Sequence, residues 1–151
     1  MGSSASPFMV LLLLSTLILE ILPMYVATNR SEADLQGLIA FKASITSDPL
    51  NALADWTASA HHCNWSGVAC DPLHNVISIS LPETQIQGLI SPFLANISYL
   101  ASLDLRSNFF HGVIPPQLAL CSQLIDLELF NNSLTGIKLI DTVDLEGGPG
   151  T

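Results

Sequence analysis

The sequence predicts an α/β solenoid, a helical cap followed by short stacked coils, and three observations carry that prediction. Apolar residues recur in a 24-residue register through the second half of the chain. A helical apolar pattern with acids in its first turn precedes them. Between the two lie Cys63 and Cys70, close enough to close a small loop.

The register comes first. Three blocks, VISISLPETQIQGLISPFLANISY (76–99), LASLDLRSNFFHGVIPPQLALCSQ (100–123) and LIDLELFNNSLTGIKLIDTVDLEG (124–147), align without gaps. Val76, Leu100 and Leu124 share a column, as do Ile79, Leu103 and Leu127, and then Leu81, Leu105 and Leu129. Asn108 matches Asn132, Gly88, Gly112 and Gly136 coincide, and Ile90 matches Ile114. In LxxLxL the alternating apolar residues point inward from a short strand. The following Asn turns the chain, its amide serving backbone groups at the bend, and the Gly and Ile-Pro segment returns along the convex side, where Ile114 packs inward. No block buries its apolar face alone, but stacked blocks share one core. The expected fold is thus an α/β leucine-rich-repeat solenoid. The first block departs at Thr84, where Asn belongs, and at Ser91, where Pro belongs. The third fails after Gly136: Lys138 stands for the inward Ile and Leu139 for Pro.

The cap helix is expected to open at Ser31, with Asp34 three residues on and acids suited to the helix dipole. Leu35, Leu38, Phe41 and Ile45 recur at helical spacing, and Asp48-Pro49 ends the segment. The stretch Leu50 to Trp56 leads into the cysteine loop.

Ahead of the cap, Pro7 to Leu19 is almost purely apolar, and Val26-Ala27-Thr28 offers small residues for cleavage, the pattern of a secretory signal peptide. A retained membrane anchor is the other reading. Glu20 weighs against it, costing roughly 2.5–3.5 kcal/mol mid-bilayer, and Pro23 breaks the helix soon after. The expected organisation is a signal peptide (1–28), cap (29–75), two and a half coils (76–136) and a non-repeat tail (137–151), the tail reading as an unrelated ending on a truncated frame. No membrane span is expected in the processed fragment, which is placed in the secretory pathway, extracellular or on the outer face of the plasma membrane.

The net charge is −9, with Arg30, Lys42, Arg106 and Lys138 as the fixed cations. Nucleic-acid binding needs clustered positive charge and is excluded. Three cysteines in an exported chain suggest one bridge and one thiol left over. The local pair Cys63–Cys70 is the expected bridge, its small loop worth roughly 2.5 kcal/mol by chain entropy, and Cys121 is expected to be a small buried hydrophobe.

With these motifs in hand, the chain resembles a known family. CNWSGVAC (63–70) is similar to the C-x-W-x-G-V-x-C ending of the plant-type leucine-rich-repeat cap, and the Gly-x-Ile-Pro coil resembles the plant-specific repeat class. ADLQGLIAFKASITSDPLNALADWT with the cysteine loop resembles receptor-like kinases of the flagellin-receptor group. The resemblance spans about residues 31 to 136. It implies a short parallel β-sheet lining a concave face, and a helical, disulfide-bonded amino-terminal cap shielding the first coil. It also implies the amino-terminal part of an ectodomain that recognises a peptide or protein, with a membrane span and Ser/Thr kinase far downstream. The kinase signatures are absent from this sequence, so no enzyme activity is expected.

The candidate sites follow. Asn29, Asn64, Asn96 and Asn131 head Asn-x-Ser sequons and are candidate glycan acceptors. Ser78, Ser80, Glu83, Ser102, Asp104, Arg106, Asp126, Glu128 and Phe130 are the outward strand positions of the nascent concave face. They are candidates for a protein or peptide ligand, but in this fragment they read better as solvated strand residues, because under three coils fall short of the roughly 800 Å² per partner of a standard interface. Zinc by His61, His62, Cys63 and Cys70 is disfavoured by the spacing, and no cofactor, metal or catalytic residue is expected. Asp126 and Glu128 share a face without any group to make them an acid–base pair. A recognition module acting within a longer array is the leading functional reading. A short secreted decoy or inhibitor and a purely structural solenoid cap are the alternatives.

Overall fold

A computed structural model describes residues 30–136. The expected signal peptide, the Asn29 sequon and the tail lie outside them. The described chain opens on helix α1, over 30–43, and runs through eight strands. These are β1 (Ile45–Ser47), β2 (Val68–Cys70), β3 (Val76–Ser80), β4 (Gln87–Leu89), β5 (Ser102–Asp104), β6 (Phe109–Val113), β7 (Asp126–Glu128) and β8 (Ser133–Thr135).

The 24-residue register appears directly as strand pairing. Strands β3, β5 and β7 are parallel, with Ile79 beside Leu103 and Leu103 beside Leu127. A second parallel set, β4, β6 and β8, runs along the returning arm of each coil. That second sheet was not anticipated, because the apolar alternation in QGL and FFHGV is broken by the glycines. The cap contributes one antiparallel edge strand to each sheet. β2 pairs with β3 and β1 pairs with β4, giving the orders β2-β3-β5-β7 and β1-β4-β6-β8. Capping is therefore literal, since the first-coil strands β3 and β4 are paired by the cap and do not stand at the sheet edge.

The returning arms of the first two coils each carry a 3-10 turn, Pro92–Asn96 and Pro116–Leu120, whose Leu94 and Leu118 are buried 24 positions apart. Ser91, at the Pro column, accepts the Phe93 N–H and so caps the first of these turns. The core runs unbroken from cap to coils: Leu38, Phe41, Trp56 and Trp65 join the columns of Ile79, Leu81, Leu103 and Leu105. Phe41 bridges the two, its ring 6.1 Å from Trp56 and 5.9 Å from Phe110.

Two helix expectations need correction. Arg30 is already helical, so Ser31 lies inside α1 and does not cap it. Asp34 is buried and accepts the Val76 N–H at 2.9 Å, tying the helix to the first coil. Ile45 lies in β1 opposite Gly88, not in a last helical turn. Its β-branched side chain suits a strand, and the backbone there is needed to pair the sheet edge.

Burial raises the Asp34 carboxyl pKa, the Val76 N–H opposing and the Asp71 charge adding to the rise. The folded state thus takes up the proton more readily than the unfolded chain. Ionised Asp34 disfavours the fold at neutral pH, and this penalty fades as pH falls through the raised pKa toward about 4, the ordinary aspartate value. Asp34→Asn keeps an acceptor for Val76 and lacks the charge. Its melting temperature relative to wild type is expected to be highest at pH 7 and to fall as pH is lowered toward 4, as thermal melts across that range will check.

Candidate recognition surface

The face of the first sheet carries the predicted binding residues, and pairing register decides which of them act together. Ser78, Ser102 and Asp126 form one row, and Ser80, Asp104 and Glu128 the next. Acid accumulates toward the third coil, where Asp126, Glu128 and Phe130 are all exposed. Arg106 and Phe130 lie just beyond the ends of β5 and β7. Arg106 is tied to its own coil: its guanidinium lies 3.2 Å from the Asp104 carboxylate, which also accepts the Arg106 N–H. An exposed pair of this kind contributes at most about 1 kcal/mol, so it orients Arg106 more than it stabilises the coil.

Glu83 does not belong with these residues. It has φ 57, in the left-handed region, and its equivalents 24 positions on are Ser107 at 55 and Asn131 at 54. This column is a turn, and the third row of the face is Pro82, Arg106 and Phe130. The 24-residue register itself gives Pro82, since 106 minus 24 is 82. An Asn ladder sits behind the turns. Asn108 Nδ2 donates to the Leu81, Leu105 and Arg106 carbonyls, and its Oδ1 accepts from the Thr84 and Ile86 N–H groups. Thr84, in the first Asn column, keeps the bend by donating to the Leu81 carbonyl.

The cap loop is built around Cys63–Cys70, which are joined. Gly67 sits between them at φ +78, and a Cβ there would meet the Ser80 carbonyl at 2.5 Å. The glycine of C-x-W-x-G-V-x-C is thus required both by its dihedral and by the close approach of β3. Trp56 and Trp65 stack at 5.3 Å, their ring N–H groups donating to the Ser66 and Thr57 carbonyls. Asp55 accepts from both the N–H and the hydroxyl of Ser66, and these bonds, the hydroxyl's foremost, hold its carboxyl below the usual range. A cleft of about 380 Å³ opens between α1 and this loop, with Leu35, Ile39, Trp56, Trp65 and His62 among its walls. His62 is buried, which lowers its pKa; the neighbouring His61 lowers it further, and a hydrogen bond to the His74 backbone opposes the shift. Cys121 is buried against the Leu94 carbonyl, and burial pushes its thiol pKa up.

Asn64, Asn96 and Asn131 are all exposed. Asn131 is on the left-handed turn and donates to the Ser107 hydroxyl at 3.3 Å. Among the described residues, no helix is long and apolar enough to cross a membrane.

Fold, cap and face together define a leucine-rich-repeat solenoid with its amino-terminal cap in place. Residues 31–71 match the leucine rich repeat N-terminal domain. Over its cap and first repeats the chain is similar to plant leucine-rich-repeat receptor-like kinases. A probable LRR receptor-like serine/threonine-protein kinase of Arabidopsis thaliana is 41% identical over 80 residues, which are 52% of this chain and 8% of that protein. Among solved structures, the BIR2 ectodomain of Arabidopsis thaliana is 35% identical with a TM-score of 0.62, covering 67% of this chain and 56% of that one. The Arabidopsis receptor kinase HAESA, in complex with the peptide hormone IDA and the co-receptor SERK1, is 32% identical with a TM-score of 0.61, covering 67% and 17%. The chain spans 8–9% of the length of the first curated relatives it matches. The match falls in their leucine-rich-repeat region and takes in none of the kinase domain.

Proposed function

We propose that this chain is a non-catalytic recognition piece: the cap and opening coils of a plant receptor-like kinase ectodomain of the flagellin-receptor-like group. It works on the outer face of the plasma membrane after export, in cell-surface perception and plant defence. The observation that carries this reading is the unbroken 24-residue pairing register, set on a cap that seals one end of both sheets. Such an end is a starting point for further coils. The ligand is a protein or peptide, bound on the concave face of the longer array. Ser78, Ser80, Ser102, Asp104, Arg106, Asp126, Glu128 and Phe130 supply the first rows of that face. Asn64, Asn96 and Asn131 are its glycan acceptors within the described residues, and Asn29 is a fourth.

A graft tests the reading. Residues 30–136 replace the corresponding cap and coils of the HAESA ectodomain, ahead of that receptor's later repeats. The graft is expected to be exported, to gain endoglycosidase-sensitive mass, and to keep its affinity for IDA within about threefold, or about 0.65 kcal/mol. Retention of the graft as misfolded protein, together with peptide binding by the isolated chain, overturns the array reading in favour of the decoy.

A further inference from the structure

Three of the four histidines of the chain converge beside the disulfide. The His61 and His62 ring centroids are 4.2 Å apart, and those of His61 and His74 are 5.4 Å apart. His61 caps the 3-10 turn His62–Asn64. His74 sits at φ 63 on the turn between β2 and β3, a conformation that swings it round to the same side. The bridge pins the two segments together: the Cys63 sulfur lies 3.7 Å from the His74 carbonyl, a contact only, because a bonded sulfur carries no hydrogen.

One atom in this cluster is anomalous. His62 is 3% exposed, and its Nε2 is the one buried side-chain nitrogen or oxygen among the described residues without a hydrogen-bond partner. Buried polar atoms are nearly always paired, and an orphan calls for a partner. A ligand nitrogen of His61, one of His62 and the Cys63 sulfur lie within 4.8 Å of one another. The sulfur is spent in the bridge and cannot be a thiolate, so soft ligation is closed and an imidazole set remains. Imidazoles suit zinc and copper.

We propose that His61, His62 and His74 form a three-imidazole site for a divalent transition-metal ion of the zinc–copper class. Two nitrogens held at about 2.0–2.1 Å from one tetrahedral ion are roughly 3.4 Å apart. His74 stands outside the 4.8 Å set, its ring 5.4 Å from that of His61, and both exposed rings have to turn into that spacing. Its Nδ1 accepts the Cys63 N–H at 3.2 Å. Ligation through Nε2 moves the ring proton to Nδ1 and exchanges that single neutral hydrogen bond for a metal–nitrogen bond. The ion gives the His62 Nε2 its missing partner and cross-links the turn ahead of β3 to the cap loop. A net charge of −9 favours cation accumulation.

The test uses zinc chloride titrated calorimetrically into the full chain at neutral pH, with the disulfide verified by a count of one reactive thiol in denaturant. One ion per chain is expected, with micromolar affinity. His61→Ala and His74→Ala, both at exposed positions, are each expected to weaken it at least tenfold with unchanged circular dichroism, and His111→Ala, outside the cluster on β6, to leave it unchanged. Absence of uptake overturns the proposal, as do a wild-type affinity in the His61 or the His74 variant, weakening in the His111 variant, or uptake only after reduction.

Discussion

Phe41→Ala is expected to lower the unfolding free energy by about 3–5 kcal/mol, the range for truncating a fully buried aromatic residue. Small domains have only about 5–15 kcal/mol in total. Phe41 is fully buried and stands between the Trp56 ring of the cap and the Phe110 ring of the second coil. Its removal opens a cavity where α1, Trp56 of the cap and Phe110 of the second coil share packing. The pair gives the measurement. Trp56 and Trp65 stack at 5.3 Å, so urea titration followed by tryptophan fluorescence reports the cap, and far-ultraviolet circular dichroism reports the strands. Coincident transitions shifted to lower urea are expected. Phe41→Leu, which keeps most of the volume, is expected to lose less than about 1.5 kcal/mol. A loss under about 1 kcal/mol in Phe41→Ala would show that cap and coils are stabilised independently.

The repeat sheet was legible because its cause is periodic. One residue of each LxxLxL column fixes the next by addition, and Ile79, Leu103 and Leu127 pair as the register requires. The cap was legible at the cysteines and at Gly67, where the dihedral admits little else. It was misread at Ser31 and Asp34, since a local capping pattern cannot reveal a long-range acceptor such as the one Val76 finds 42 positions away. Neither antiparallel edge strand was visible: β1 and β2 are three residues each, and short strands have no periodicity of their own. On the candidate face, Glu83 reads as an outward strand position, although its own column, with Ser107 and Asn131, turns the chain. His74 lies 11 positions beyond Cys63, so its approach to His61 is tertiary and leaves no trace in local spacing.

The asparagine ladder sets the second large effect, and its size is expected to depend on which coil is struck. Asn108 is 4% exposed. Its amide nitrogen serves three carbonyls and its oxygen serves Thr84 and the buried Ile86 N–H. Alanine strands those groups where water cannot replace the amide, and each buried orphan costs about 1–3 kcal/mol. Losses in one network do not simply add, so Asn108→Ala is expected to cost roughly 3–5 kcal/mol. Asn132 makes the same bend one coil later, donating to the Leu105, Leu129 and Phe130 carbonyls and accepting the Phe110 N–H. It is only half-buried, and the Leu127 beside it is 44% exposed. Water can therefore reach much of what Asn132→Ala releases, and a loss of about 1–2 kcal/mol is expected. Equilibrium unfolding of the two variants in parallel decides the matter. Equal losses would mean that burial does not grade the ladder, whereas the expected larger loss in Asn108→Ala makes Asn108 the bond set that joins the capped first coil to the rest.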